Sequence, residues 1–84
     1  MMPHVIVKLW PGNSEAQKAE LSAAIVRELT RTLNCADASV SVAFEEVRAS
    51  NWNEEVFKPD ILGKWDTLTK EPGYGPRPSK NGVA

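Results

Sequence analysis

The sequence predicts an α/β (α+β) fold, built as one β-α-β unit with parallel strands and an additional C-terminal helix. Three segments carry this reading: a β-rich run at His4–Trp10, a helix-periodic stretch from Ser14 to Leu33, and an alternating run at Ser39–Glu45. A strand, a helix of about five turns and a second strand, in that order, favour a parallel pair joined by a right-handed crossover.

The first strand, His4-Val5-Ile6-Val7-Lys8-Leu9-Trp10, does not alternate cleanly. Such a run suits a strand covered on both faces. Pro11-Gly12-Asn13 ends it in a turn. Ser14-Glu15-Ala16-Gln17 matches a capping box, with Ser14 over the free N–H groups and Gln17 reaching back. Leu21, Ala24, Ile25, Leu29 and Leu33 recur at steps of three and four and so share one helical face. Lys18, Glu20, Arg27, Glu28 and Arg31 lie mostly elsewhere, and Asn34 is placed as the C-cap. In Ser39–Glu45, Val40, Val42 and Phe44 point to the helix side, while Ser39, Ser41, Ala43 and Glu45 point away. Pro59 is expected to begin or kink a second helix. Ile61, Leu62, Trp65, Leu68 and Thr69 form its stripe over Pro59–Lys70, and Pro72-Gly73 stops it. The stretch Tyr74–Ala84, rich in Pro, Gly, Ser and Lys, reads as a mobile tail.

With 84 residues, 42% of them hydrophobic, there is room for a single domain, 1–84. Ten Lys+Arg against eleven Asp+Glu leave a net charge of −1, which argues against a nucleic-acid partner. No apolar run approaches the ~20 residues of a membrane span and no signal peptide is visible, so a cytoplasmic location is expected. The single Cys35 excludes a disulfide within the chain. A two-stranded sheet under one helix is too thin to stand alone. Self-association through the uncovered face or edge of the sheet is therefore expected.

Conventional catalytic machinery is missing: there is no metal cluster, no Gly-rich phosphate loop and no Ser/His/Asp set. His4 reads as an ordinary strand residue, Cys35 as a structural or surface residue, and Glu45-Glu46 and Glu54-Glu55 as solvated faces. The unusual feature is Met2-Pro3-His4 opening directly into the first strand. With the methionines removed, Pro3 carries a free secondary amine. In an apolar pocket that amine loses solvation in its charged form and its pKa falls. A base poised near neutrality takes a proton from carbon beside a carbonyl and returns it elsewhere.

Pro3 at the start of a strand, the Ser14-Glu15-Ala16-Gln17-Lys18 helix opening, the Ser39-Val40-Ser41-Val42 strand and Trp52 shortly after it together resemble the 4-oxalocrotonate tautomerase family. Pro3-His4-Val5-Ile6-Val7-Lys8 and Lys70-Glu71-Pro72-Gly73-Tyr74 are most similar to the dimeric, phenylpyruvate-type bacterial tautomerases. The resemblance implies a β-α-β fold whose sheets pack between subunits, with sites at subunit junctions, Pro3 as general base, and no cofactor or metal. It also implies a substrate-binding role for Trp52 as an aromatic wall and for Trp10 along the apolar part of the pocket. Core packing is the competing role for both indoles.

The pattern departs from the family at Asn13 and Ser41, where the 4-oxalocrotonate enzyme carries arginines. Without a guanidinium fork, bidentate carboxylate recognition weakens. A dicarboxylate is then disfavoured, and a flat, apolar enol such as phenylenolpyruvate is favoured, with Ser41 and Asn13 left to hydrogen-bond the substrate. Arg48 is a candidate replacement cation, with an exposed surface side chain as its competing and favoured role. A second departure is Met1-Met2 ahead of Pro3. While they remain, the Pro3 nitrogen is part of an amide and has no basic lone pair. Two readings stand at this point: a cofactor-independent keto–enol tautomerase acting through Pro3, and a non-catalytic dimeric binding module of the same fold. A homodimer is expected, with a hexamer as the alternative.

Overall fold

The computed structural model describes residues 1–79 and divides the chain into two compact units, Met1–Glu46 and Val47 onward. The first unit is the β-α-β motif. Strand β1 (His4–Leu9) is followed by helix α1 (Glu15–Leu33), a 3-10 turn at Asp37–Ser39, and strand β2 (Ser41–Glu46). β1 and β2 pair in parallel in the register His4↔Ser41 through Leu9↔Glu46.

Local chemistry accounts for the limits of α1. Ser14 is the N-cap: its Oγ accepts from the Gln17 N–H at 3.0 Å, and its own N–H donates to Gln17 Oε1 at 2.9 Å, completing the expected capping box. At the other end Asn34 takes the left-handed conformation, φ 55° and ψ 46°, and closes the helix as expected.

The strands are shorter than the sequence suggests. Trp10 falls outside β1, because the Pro11-Gly12 turn follows at once and Gly12 has φ +125°. Ser39 and Val40 fall outside β2. Ser39 Oγ and N–H both bond the Ala36 carbonyl, and Val40 N–H bonds the Asp37 carbonyl at 3.1 Å. Those short-range bonds take the backbone groups that a ladder would have used.

Register and alternation sort the side chains onto two faces. Val5, Val7 and Leu9 share one face with Val42, Phe44 and Glu46, and α1 lies over it. The Lys18 ammonium bonds the Glu46 carboxylate at 2.6 Å and Glu15 at 3.1 Å, tying the start of α1 to the end of β2. His4, Ile6 and Lys8 share the other face with Ser41, Ala43 and Glu45. Ile6 there remains 48% exposed. No side chain of this unit is fully buried, the consequence of two thin layers.

The second unit opens with α2 (Ala49–Trp52), which runs directly into a π-helical segment, Asn53–Leu62. A short 3-10 turn follows at Trp65–Thr67. The expected helix over Pro59–Lys70 is thereby corrected: helical backbone begins ten residues earlier and ends at Leu62. Pro59 lies inside the helix rather than at its start. It has no N–H to give, and its ring crowds the carbonyl four residues back, so an α-helical register cannot run through it unbroken. The wider π register accommodates it, and Gly63 N–H closes the segment on the Lys58 carbonyl at 2.8 Å. Val56 and Phe57, on this segment, are the buried hydrophobic residues among those described, at 4% and 3% exposure.

The last described stretch is held by specific contacts. The Tyr74 ring packs on Phe57 with centroids 5.7 Å apart, and the Trp52 indole N–H donates to the Tyr74 hydroxyl at 3.1 Å. The Arg77 guanidinium lies 5.5 Å from the centre of the Trp65 ring and bonds Glu71 at 2.7 Å. Of the tail expected over Tyr74–Ala84, the part from 80 onward lies outside the described residues. No helix among the described residues is long and apolar enough to cross a membrane.

Candidate active site

Pro3 immediately precedes β1, a position that suits a residue with fixed φ and no N–H to contribute to a ladder. Its side chain is half-buried, and its carbonyl accepts the Ser41 N–H at 3.2 Å, as if extending the parallel pairing by one step. Two of the residues singled out from sequence, Pro3 and Ser41, are thus neighbours. With Met1 and Met2 in place, the nitrogen of Pro3 forms the amide with Met2. Both methionines are exposed, Met1 at 73% and Met2 at 81%.

The side chain of Ser41 is engaged as well. Its Oγ lies 2.6 Å from His4 Nδ1 across the register pair. Sequence reasoning passed over His4 because a lone imidazole on a strand is usually incidental. The run read from sequence begins at Ser39, so its first residue would not have faced His4; the pairing of His4 with Ser41 comes from the register of the folded strands.

Trp10 and Asn13 are placed elsewhere. β1 is six residues long, about 20 Å at 3.3 Å per residue, and these residues follow its far end. Trp10 is 57% exposed. Asn13 borders a cavity of about 120 Å³ on the α1 side, together with Leu9, Gln17, Lys18, Leu21 and Phe44. Within one chain, then, Pro3 and Ser41 stand at one end of β1, and Trp10 and Asn13 at the other.

Trp52 belongs to the second unit. It ends α2 half-buried, with its indole N–H committed to Tyr74. Sequence reasoning assigned Tyr74 to the tail and did not connect the two. A larger cavity in this unit, about 440 Å³, is lined by residues including Leu62, Lys64, Trp65, Asp66 and Pro78, and none of Pro3, Trp10, Asn13, Ser41 and Trp52 borders it. Among the described residues, no group of three or more His, Cys, Asp or Glu is placed to hold a metal ion.

The electrostatics near the small cavity are dominated by Lys18. The Glu46 carboxylate bonded to its ammonium, with Glu15 as the second partner, raises its pKa above the ordinary 10.5. Lys18 therefore stays charged, as a structural cation and not as a base.

Comparison with known proteins covers both the β-α-β unit and Trp52. A family model described as "Tautomerase enzyme" matches residues 3–56. The chain is 40% identical over 74 residues to "Tautomerase PptA" of Pectobacterium carotovorum, an alignment covering 87% of this chain and 97% of the relative. It is 39% identical over 74 residues to a "Probable tautomerase" of Xylella fastidiosa, covering 88% and 90%. Among solved structures it resembles TomN, described as a 4-oxalocrotonate tautomerase homologue in the tomaymycin biosynthetic pathway. There the TM-score is 0.58 and the identity 30%, over 60% of this chain and 77% of that one. YwhB, described as a homologue of 4-oxalocrotonate tautomerase, superposes with a TM-score of 0.54 at 28% identity, over 55% and 75%. A match that starts on Pro3 and runs through β1, α1, β2 and Trp52 makes this chain a member of the tautomerase family and, with it, an isomerase.

Proposed function

We propose that the protein is a cofactor-independent keto–enol tautomerase that uses Pro3, once it is the amino terminus, as its general base on an apolar or aryl enolpyruvate. The observation that carries this reading is the place of Pro3. It heads β1, half-buried, with its carbonyl pinned to Ser41, so its nitrogen is held at the edge of rigid sheet and not on a free arm. As a neutral secondary amine it takes the enol hydroxyl proton and, as the resulting ammonium, delivers a proton to C3. The enol becomes the 2-oxo acid, and the amine ends neutral as it began.

The aromatic residues support an apolar substrate. The Trp52 N–H is already satisfied by Tyr74, which leaves that indole a ring face as its contribution. The absence of arginine at positions 13 and 41 removes the forks that would hold two carboxylates. Because Pro3 and the Trp10–Asn13 segment stand at opposite ends of β1, a pocket using both draws them from different copies of the chain. A homodimer is the proposed assembly.

The experiment compares phenylenolpyruvate ketonisation by two preparations, one beginning at Met1 and one at Pro3, each verified by intact mass. Activity confined to the Pro3-started protein is expected, since only that form has a basic nitrogen. A Pro3-started protein no faster than its Pro3→Ala form would overturn the base assignment. Activity in neither preparation would favour a binding module or another substrate.

A further inference from the structure

The site as read from sequence has no arginine at positions 13 and 41 for the substrate carboxylate, and the structure places a nitrogen donor beside Ser41. His4 and Ser41 are register partners, so both side chains leave the sheet on the face away from α1. Both are exposed, and Ser41 Oγ lies 2.6 Å from His4 Nδ1. We propose that His4, oriented by Ser41, binds the carboxylate of a monocarboxylic 2-oxo or enol acid, an inference that rests on the Pro3 reading above for the position of the reacting carbon.

A neutral imidazole has one donor and one acceptor nitrogen. In the tautomer that this binding requires, the Ser41 hydroxyl donates to Nδ1 and the ring proton lies on Nε2. Nε2–H is then an outward donor, and its bond to a carboxylate is charge-assisted. A single donor holds one carboxylate and offers nothing to a second, which selects monoacids over diacids. The geometry suits the chemistry. His4 directly follows Pro3, about 3.8 Å away between Cα atoms, and the Ser41 N–H holds the Pro3 carbonyl. The carboxylate of an enolpyruvate is one bond from C2 and two from C3. Lys8 and Glu45 share this face as another register pair, but about 13 Å further along the strand, so among the strand side chains of this face His4 is the nitrogen donor at the Pro3 end.

The test uses the Pro3-started protein and four variants: His4→Ala, His4→Gln, Ser41→Ala and the double variant His4→Ala with Ser41→Ala. Circular dichroism verifies that each is folded. Calorimetry gives the Kd for trans-cinnamate and for cinnamamide, its uncharged counterpart, while ketonisation assays give kcat and KM. His4→Ala is expected to weaken cinnamate about 10- to 100-fold, the range for a hydrogen bond to a charged group, while cinnamamide changes by less than about twofold. KM for phenylenolpyruvate rises with a much smaller change in kcat. His4→Gln keeps an N–H donor and recovers part of the loss. Ser41→Ala has a smaller effect, and combining it with His4→Ala adds nothing further, as expected for two residues acting as one unit.

Unchanged cinnamate binding in His4→Ala, equal losses for cinnamate and cinnamamide, or no cinnamate binding by the unsubstituted protein would each overturn the proposal. The two readings fail separately. Cinnamate binding that depends on His4, in a protein that does not ketonise, counts against Pro3 as the base and for His4 as the carboxylate ligand.

Discussion

Gly75 shows how tightly one position can be set. It has φ +77°, and a Cβ built there would sit 2.6 Å from Phe57 Cζ and 2.7 Å from Cε1. Phe57 is almost wholly buried, so its ring cannot swing aside. Gly75→Ala therefore combines a left-handed backbone that alanine resists with direct overlap. A loss of about 2 kcal/mol or more is expected, read as a lower denaturant midpoint than that of the parent. Tryptophan fluorescence should change too, because Tyr74 beside it bonds Trp52. An unaltered midpoint would mean that the Tyr74–Phe57 contact bears no weight. At this scale the sequence was unevenly legible. The candidacy of Pro3 and the departures at Asn13 and Ser41 came from residue identity alone. The roles of His4 and Tyr74 did not, because each depends on a partner 37 or 22 positions away.

Elements were legible where their instructions are local. Ser14 and Gln17 lie three residues apart and cap one another, so the start of α1 can be read without knowing what it packs on. The second helix was misplaced because Pro59 reads as a starting signal. Val56 and Phe57, just ahead of it, are where this segment is buried, so tertiary burial keeps the backbone helical through a residue that would ordinarily end or begin it. The docking of α1 on β2 gives a pH prediction. With the folded-state pKa of Lys18 raised above 10.5 by Glu46 and Glu15, the ion pairs stabilise the fold fully below the unfolded value, and that contribution is lost as pH rises through the folded one. The stability difference between the parent and Lys18→Met should be constant from neutral pH to about pH 10 and shrink above that. Denaturant midpoints measured at pH 7, 9, 10 and 11 check this. A difference that persists undiminished at pH 11 would assign the effect to packing of the lysine stem instead.

At the scale of the whole molecule, the β-α-β unit leaves apolar surface in water. Ile6, Leu21 and Leu33 are 48%, 44% and 41% exposed, and no side chain in the unit is fully buried. A chain this size gains little from its own core, which agrees with assembly as part of the fold. Multi-angle light scattering should give twice the chain mass, and a sixfold mass would support the hexamer. A monomer at micromolar concentration would remove the argument that Pro3 and the Trp10–Asn13 segment meet across copies. Replacing Ile6 with Lys should lower the association constant at least about tenfold if that face is covered by a partner, since a buried unpaired charge is strongly disfavoured.

By itself the sequence determined the order strand–helix–strand, the capped ends of α1 and the resemblance that led to the tautomerase family. Each of these is written in residue type at short spacing, where backbone preference and alternation act directly. Only the tertiary structure decided which residues face one another. The parallel register puts His4 against Ser41 and joins Pro3 to the same strand end, while the length of β1 separates that end from Trp10 and Asn13. Register is a property of two segments brought together by a nineteen-residue helix, and neither strand alone contains it.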